Sequence, residues 1–523
     1  MATSDRANTA ASARLAVIRD AVLALDSATK AAAGAALFGG LVALWAGLRA
    51  GSFWLDEVIA VTHANAGVLR FPFEILRNDL HPPLYFLQLM IWDFGGFGDE
   101  WVRLNTIFWL GLTVWGVWSV AGRYGGRPAS IAAVALYLSF PATAHAAGDL
   151  RMYTMVPALL CAFWLVQDGL WAETRLDLRK AAATAAIAAA LILVHAIAFY
   201  FVALFLSAAW LQAMRERKAD FNAMFASLPN VLLVGGVAAL AAFPVVAPAL
   251  LRGSDAYAPQ NFLETFAHAG AVIVSWRPPV DHPSRWLGFL VWAGAVALGV
   301  RDKRLRWYAV VFAGVSVFLA LGVGAFVKPL FKGPVFAAFS GPALAVFFGA
   351  AFAKSAAPVR AGFVGLAVVL AVLSFLQERG ENPNGPYKDA VAYVEANSQP
   401  GDAVFVVKFA PYWGVMRYAK GPRWGDPLKI MNSEVRPEWK SVFSKIPEPT
   451  LRAIGWVPEA DYIDHDARRW VLGENYAEHG EGRRQFFVLY GRLTPEKTPG
   501  PDYVLVETRQ FADFFVDRYE RRA

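Results

Sequence analysis

Three short stretches place polar side chains where an apolar chain gives them little reason to be: Trp54-Leu55-Asp56-Glu57, Asp79-Leu80-His81-Pro82-Pro83-Leu84-Tyr85 and Asp149-Leu150-Arg151-Met152-Tyr153. A carboxylate such as Asp56 or Glu57 can take a proton from a hydroxyl and act as a general base. The planar donor fork of Arg151 matches the oxygens of a phosphate. Two prolines stiffen the turn after His81 and keep it out of helical geometry. His195 interrupts a long apolar run, and Lys328 and Lys332 flank the short stretch before another.

Each feature also has a plainer explanation. Asp56 can be a helix N-cap, the His81 turn a simple loop, and Arg151 a local ion-pair partner of Asp149. His195 can be a packed core histidine. Lys328 and Lys332 can reach lipid headgroups or hold an anionic ligand.

The elements that position these residues follow from composition. Of 523 residues, 57% are hydrophobic and 17% charged, against about 25% charged in a soluble domain. The net charge of +7 does not gather into the basic stripe of a nucleic-acid binder. A single cysteine, Cys161, excludes an intrachain disulfide and a thiolate metal cluster. Apolar runs predict spans near 31–50, 102–121, 128–147, 153–171, 181–194, 196–212, 227–250, 286–300, 307–326, 334–352 and 358–376. Most approach the ~20 residues needed to cross a bilayer core. As one helix, 181–212 would run roughly 48 Å, too long for one crossing, so it is divided at His195.

Charge tests that division. With the N-terminus inside, the predicted cytoplasmic loops hold 14 Lys and Arg in 41 residues, and the opposite loops hold 8 in 102. This bias supports eleven spans with the C-terminus outside. Treating 181–212 as one span would put Arg215, Arg217 and Lys218 outside and spoil it.

Residues 1–30 place Leu15, Ile18, Val22 and Leu25 at helical spacing and lack an evident cleavage site. They predict an amphipathic segment on the cytoplasmic membrane surface. Residues 31–376 form the membrane domain, whose first outer loop, 50–103, is far longer than a simple connection. From 377 to 523 the pattern becomes mixed, with a helix near 387–397 and strand-like runs at 403–408, 485–491 and 503–508. This predicts a C-terminal soluble α/β domain on the outer, periplasmic side. Its Tyr412, Trp413, Trp424 and Trp470 suit either sugar stacking or a core.

The succession WLDE, DLHPPLYF, DLRMY resembles the membrane glycosyltransferases of superfamily C, which use sugars carried on a lipid phosphate. The resemblance covers residues 30–380 and is nearest to the bacterial lipopolysaccharide galacturonosyltransferase-like group. Protein O-mannosyltransferases and the lipid A aminoarabinose transferase are more distant. It implies an α-helical polytopic fold in the bacterial inner membrane with a periplasmic active site. Asp56 then corresponds to the family's general base and Glu57 to its companion. His81 matches the active-site histidine of the HPP motif, Arg151 the carrier-phosphate ligand, and His195 a histidine at the same break. Asp79, Tyr85, Asp149 and Tyr153 fall in the motifs that shape the site. The family's Arg-Tyr pair before the tenth span is replaced by Phe331-Lys332-Gly333-Pro334, so Lys328 or Lys332 binds phosphate there only as a point charge.

The implied reaction is a single displacement that inverts the anomeric centre. The donor is a polyprenyl-phosphate sugar, and the acceptor a hydroxyl of an envelope glycan, glycolipid or protein. No cofactor is expected, and the adjacent Asp56-Glu57 pair lacks the spacing of a metal-binding Asp-x-Asp. A transporter or flippase would show internal repeats and midplane charges; neither is found in the sequence. A non-catalytic scaffold for envelope assembly is the other alternative. Transfer of labelled sugar from a lipid carrier would separate the three.

Overall fold

A computed structural model describes residues 24–49, 52–53, 55–64, 81–94, 98–167, 170–171, 176–252, 284–318, 333–380, 387–397, 403–407, 417–418, 430–432, 484–490, 503–511 and 514–522. The predicted amphipathic segment lies almost wholly outside them. So do Asp79, Lys328, Lys332, Tyr412, Trp413, Trp424 and Trp470.

Helices α1 (Ser27–Leu48), α2 (Leu55–Ala64), α3 (Leu84–Trp92), α4 (Asp99–Ser139) and α5 (Pro141–Gly148) build the first half of the membrane domain. They are followed by α6 (Met155–Gln167), α7 (Leu178–Val194), α8 (Ala198–Glu216), α9 (Phe221–Arg252), α10 (Ser284–Arg301), α11 (Arg306–Phe318), α12 (Gly333–Lys354) and α13 (Ala357–Gly380). Each of the eleven apolar segments contains a helix. Among the described residues, six helices are long and apolar enough to cross a membrane.

Local chemistry sets the boundaries. Asp26 caps α1 by accepting from the Thr29 amide at 3.0 Å, and Asp177 caps α7 through the amides of Arg179 and Lys180. Gly125 and Gly126 break α4 into two helices, with Gly126 at φ +65°, a conformation that favours glycine. The predicted span 128–147 is not continuous. Phe140 turns extended before Pro141, which starts α5 without needing an amide donor. The division at His195 is present: this residue ends α7 in extended geometry at φ −152° and ψ 122°.

The two ends of the bundle differ in chemistry. At one end Arg304 donates to the Arg123 carbonyl at 2.7 Å and Gln212 to that of Lys303 at 3.0 Å. Lys354 pairs with Asp302 there, and Arg360 with Asp26 at 3.1 Å. These are the basic loops that charge counting assigned to one side. At the other end Arg49, His145 and Glu378 tie together the ends of α1, α5 and α13. Glu378 lies 3.2 Å from Arg49 and 3.4 Å from His145.

The C-terminal domain begins with α14 (Tyr387–Asn397). It continues with β1 (Ala403–Val407), β2 (Ile430–Asn432), β3 (Arg484–Tyr490), β4 (Tyr503–Phe511) and β5 (Phe514–Arg521). The sheet order is β2-β1-β3-β5-β4, parallel on both sides of β1 and antiparallel from β3 to β5 to β4. Four of these elements match the predicted helix and strand-like runs. β5 escaped the sequence pattern because Asp517 and Arg518 interrupt its apolar residues, yet Asp517 is buried and accepts from Thr508 at 2.7 Å.

Close packing of α12 on α4 depends on Gly349. A Cβ there would come 2.5 Å from the Ala129 carbonyl oxygen and 2.8 Å from the Ala133 Cβ. Gly349→Ala is expected to cost about 1–3 kcal/mol through overpacking. Gly362→Ala meets nothing within 4 Å and should be neutral or slightly stabilising. Thermal unfolding of both variants in detergent checks the contrast.

Candidate active site

The site is assembled at the end of the bundle opposite the basic loops. Ser52 and Phe53 lead into α2, whose first turn holds Asp56 and Glu57. Asp56 therefore lies inside the helix and is not its N-cap. Two carboxylates in a first turn are favoured by the positive end of the helix dipole.

The adjacent acids have different surroundings. Glu57 is fully buried, and both its oxygens meet Arg103 near the start of α4, at 3.0 and 3.1 Å. One of them also accepts from the Leu150 amide at 2.7 Å. Arg103 donates further to the Gly148 carbonyl at 2.9 Å and to that of Ser52 at 3.4 Å, with its guanidinium 4.7 Å from the centre of the Phe53 ring. Two sequence-distant strands of backbone, 52–57 and 148–150, are thereby fastened together. Sequence reasoning missed Arg103 because it stands at the edge of an apolar run and belongs to no motif. Its one signal was a charge within Trp101-Val102-Arg103-Leu104-Asn105.

Asp56 carries the accessible carboxylate, with 38% of its side chain exposed. Its Oδ2 lies 3.9 Å from Arg151 Nη2, and its carbonyl accepts from Arg151 Nη1 at 3.2 Å. The Arg151 side chain is 5% exposed. This ion pair joins Arg151 to the first motif. Asp149 is buried in the same turn.

His81 brings the second motif to the same place. Its Nε2 is 3.5 Å from Arg151 Nη2. Arginine only donates, so in this contact the histidine nitrogen is the acceptor. The His81 ring meets that of His195 edge-on, with centroids 5.8 Å apart. His195 accepts from the Ile197 amide through Nδ1 at 3.3 Å, in the turn that precedes α8. Phe339 supports its other side at 6.2 Å. His195 is thus buried and packed, and it stands beside His81.

Two tyrosines complete the surroundings. Tyr85 on α3 is buried, and its hydroxyl has no hydrogen-bond partner among the described residues. Burial raises its pKa well above the ordinary phenol range, with Arg151 opposing and Asp149 and Glu57 adding to the rise. Tyr85 therefore remains a neutral hydroxyl near neutral pH. Tyr153 follows Arg151 by two residues and packs, partly buried, against the core. Among the described residues, no three His, Cys, Asp or Glu side chains group as metal ligands.

The backbone trace has known counterparts. ArnT from Cupriavidus metallidurans in the apo state superposes with a TM-score of 0.55 at 15% identity, covering 91% of this chain and 96% of that one. The same enzyme bound to undecaprenyl phosphate gives 0.55 at 15% identity over 92% and 96%. The chain has the ArnT fold. The oligosaccharyltransferase of Archaeoglobus fulgidus aligns more loosely, with a TM-score of 0.44 at 12% identity over 74% of this chain and 63% of that one. No protein-family model matches the chain, and no curated protein sequence does. Within the ArnT fold, the described motif residues Asp56, His81, Arg151 and His195 meet at one end.

Removing one partner of the Glu57–Arg103 pair leaves the other charge buried and unpaired, at a cost of about 3–5 kcal/mol. Glu57→Gln and Arg103→Met should each destabilise strongly. The double variant should be less destabilised than the two losses added together. A thermal-unfolding cycle in detergent measures this coupling.

Proposed function

We propose that the chain is an inverting glycosyltransferase of the bacterial inner membrane. It moves one sugar from a polyprenyl-phosphate carrier to a hydroxyl of an envelope glycan, glycolipid or protein on the periplasmic side. The observation that carries this reading is the accessible Asp56 carboxylate 3.9 Å from the buried guanidinium of Arg151. The first suits a proton acceptor and the second an anion anchor. The fold shared with ArnT, which binds undecaprenyl phosphate in one of the matching structures, supports a lipid-carried donor. The concentration of basic residues in the opposite loops supports the periplasmic orientation. The order of the three motifs favours the lipopolysaccharide galacturonosyltransferase-like group.

In this mechanism the acceptor hydroxyl gives its proton to Asp56 as its oxygen bonds to the anomeric carbon. The bond from that carbon to the phosphate oxygen breaks at the same time. Its electron pair leaves on the lipid phosphate, which needs no proton. Arg151 stabilises the charge growing there, and Lys328 or Lys332 adds a second positive charge. Backside attack inverts the configuration. His81 holds Arg151 in place, and His195 backs His81. Glu57 is a positioning residue, since its oxygens are engaged by Arg103 and Leu150.

A general base contributes roughly 10²- to 10⁴-fold. Asp56→Asn should therefore lower transfer by at least 100-fold and leave binding of undecaprenyl phosphate intact. Arg151→Gln should weaken that binding. The assay uses purified protein in nanodiscs and polyprenyl-phosphate sugars extracted from metabolically labelled membranes. Full transfer by Asp56→Asn would remove Asp56 from its role.

A further inference from the structure

Outside the site, a second polar cluster joins the C-terminal domain to the segment that presents Asp56. Asp99 begins α4, and its side chain is mostly buried. Its Oδ1 meets Arg417 at 2.9 Å, and its Oδ2 accepts from the Tyr418 hydroxyl at 2.9 Å and lies 3.4 Å from Lys388. The same Tyr418 oxygen accepts the Phe53 amide at 2.6 Å. Nearby, the Tyr387 amide donates to the Ser52 hydroxyl at 2.9 Å. Ser52 and Phe53 are therefore held by the C-terminal domain from one side and by Arg103 from the other. The Phe53 ring is fully buried, with Arg103 at 4.7 Å and Arg417 at 5.7 Å from its centre.

This arrangement exceeds what attachment of a domain requires. The Tyr418 oxygen is bonded to the backbone three residues before Asp56, and its proton goes to a carboxylate at the start of the helix that supplies Arg103. Burial, then the charge of Asp99, raises the Tyr418 phenol above its ordinary range, so it stays a neutral donor across the working pH.

We propose that Asp99, Arg417 and Tyr418 form a latch through which the C-terminal domain positions the Asp56 carboxylate for transfer. Resting on the transferase reading above, it makes Arg417 and Tyr418 positioning residues of that reaction. They act through Ser52 and Phe53, touching neither donor nor acceptor. Loosening the latch slows the chemical step and leaves the carrier-phosphate anchor at Arg151 in place.

The test uses full-length protein in nanodiscs with Tyr418→Phe, Arg417→Gln and Arg417→Lys. Hydrogen exchange of the peptide covering residues 52–57 should be at least 10-fold faster in Tyr418→Phe, which removes one oxygen and leaves the ring. In the transfer assay, Tyr418→Phe and Arg417→Gln should lower kcat about 10-fold with the donor KM unchanged. Arg417→Lys, which keeps the charge facing Asp99, should recover most of the rate. Unchanged exchange at 52–57 in Tyr418→Phe would overturn the latch, as would parallel losses of thermal stability, undecaprenyl phosphate binding and rate in both variants. If the unsubstituted protein transfers no sugar, the transferase reading fails, while the exchange measurement still decides whether the latch holds the segment.

Discussion

Glu57 and Arg103 lie 46 residues apart in sequence, and each is shielded from water. Each therefore depends on the other for neutralisation. Dehydrating an ion costs several kcal/mol, and only good geometry with filled hydrogen bonds offsets it. Here both carboxylate oxygens and both terminal nitrogens of the guanidinium are engaged, with the Leu150 amide and the Gly148 carbonyl closing the ring. Displacing either backbone segment would expose an unpaired charge to an apolar interior. The register between the Asp56 segment and the Arg151 turn is consequently fixed. That register brings Asp56 and Arg151 together.

Strength and availability are divided between the two ion pairs. The Glu57–Arg103 contact is short, two-pronged and closed. The Asp56–Arg151 contact is longer, at 3.9 Å, and one of its partners is partly exposed. In the proposed mechanism a phosphate competes for Arg151 against this longer, partly exposed contact. The opposite end of the bundle uses its cations differently. Arg304 and Arg360 bind backbone carbonyls at helix ends, and so hold loops together.

The sequence disclosed what depends on local pattern. Apolar run length located the helices, and loop charge justified the division at His195. Side-chain chemistry singled out Asp56, His81, Arg151 and His195, which the fold does gather. Long-range pairing stayed hidden. Arg103 reads as the edge of a span, Asp99 as an ordinary first-turn acid, and Arg417-Tyr418 as two residues in an irregular stretch. Their partners stand tens to hundreds of positions away, and no spacing rule connects them. The different surroundings of Asp56 and Glu57 stayed hidden for a related reason. Neighbours in a helix point about 100° apart, so one can face the open side while the other enters the core.

The central claim is that Asp56 and Arg151 share one anion-binding site held open by the Glu57–Arg103 pair. A cryo-electron microscopy map of the full chain in nanodiscs with undecaprenyl phosphate tests it most directly. The account predicts phosphate density within hydrogen-bond distance of Arg151, beside Asp56, with Glu57 still closed on Arg103. Phosphate bound among the basic loops near Arg304, or Glu57 released from Arg103 toward the ligand, would contradict it.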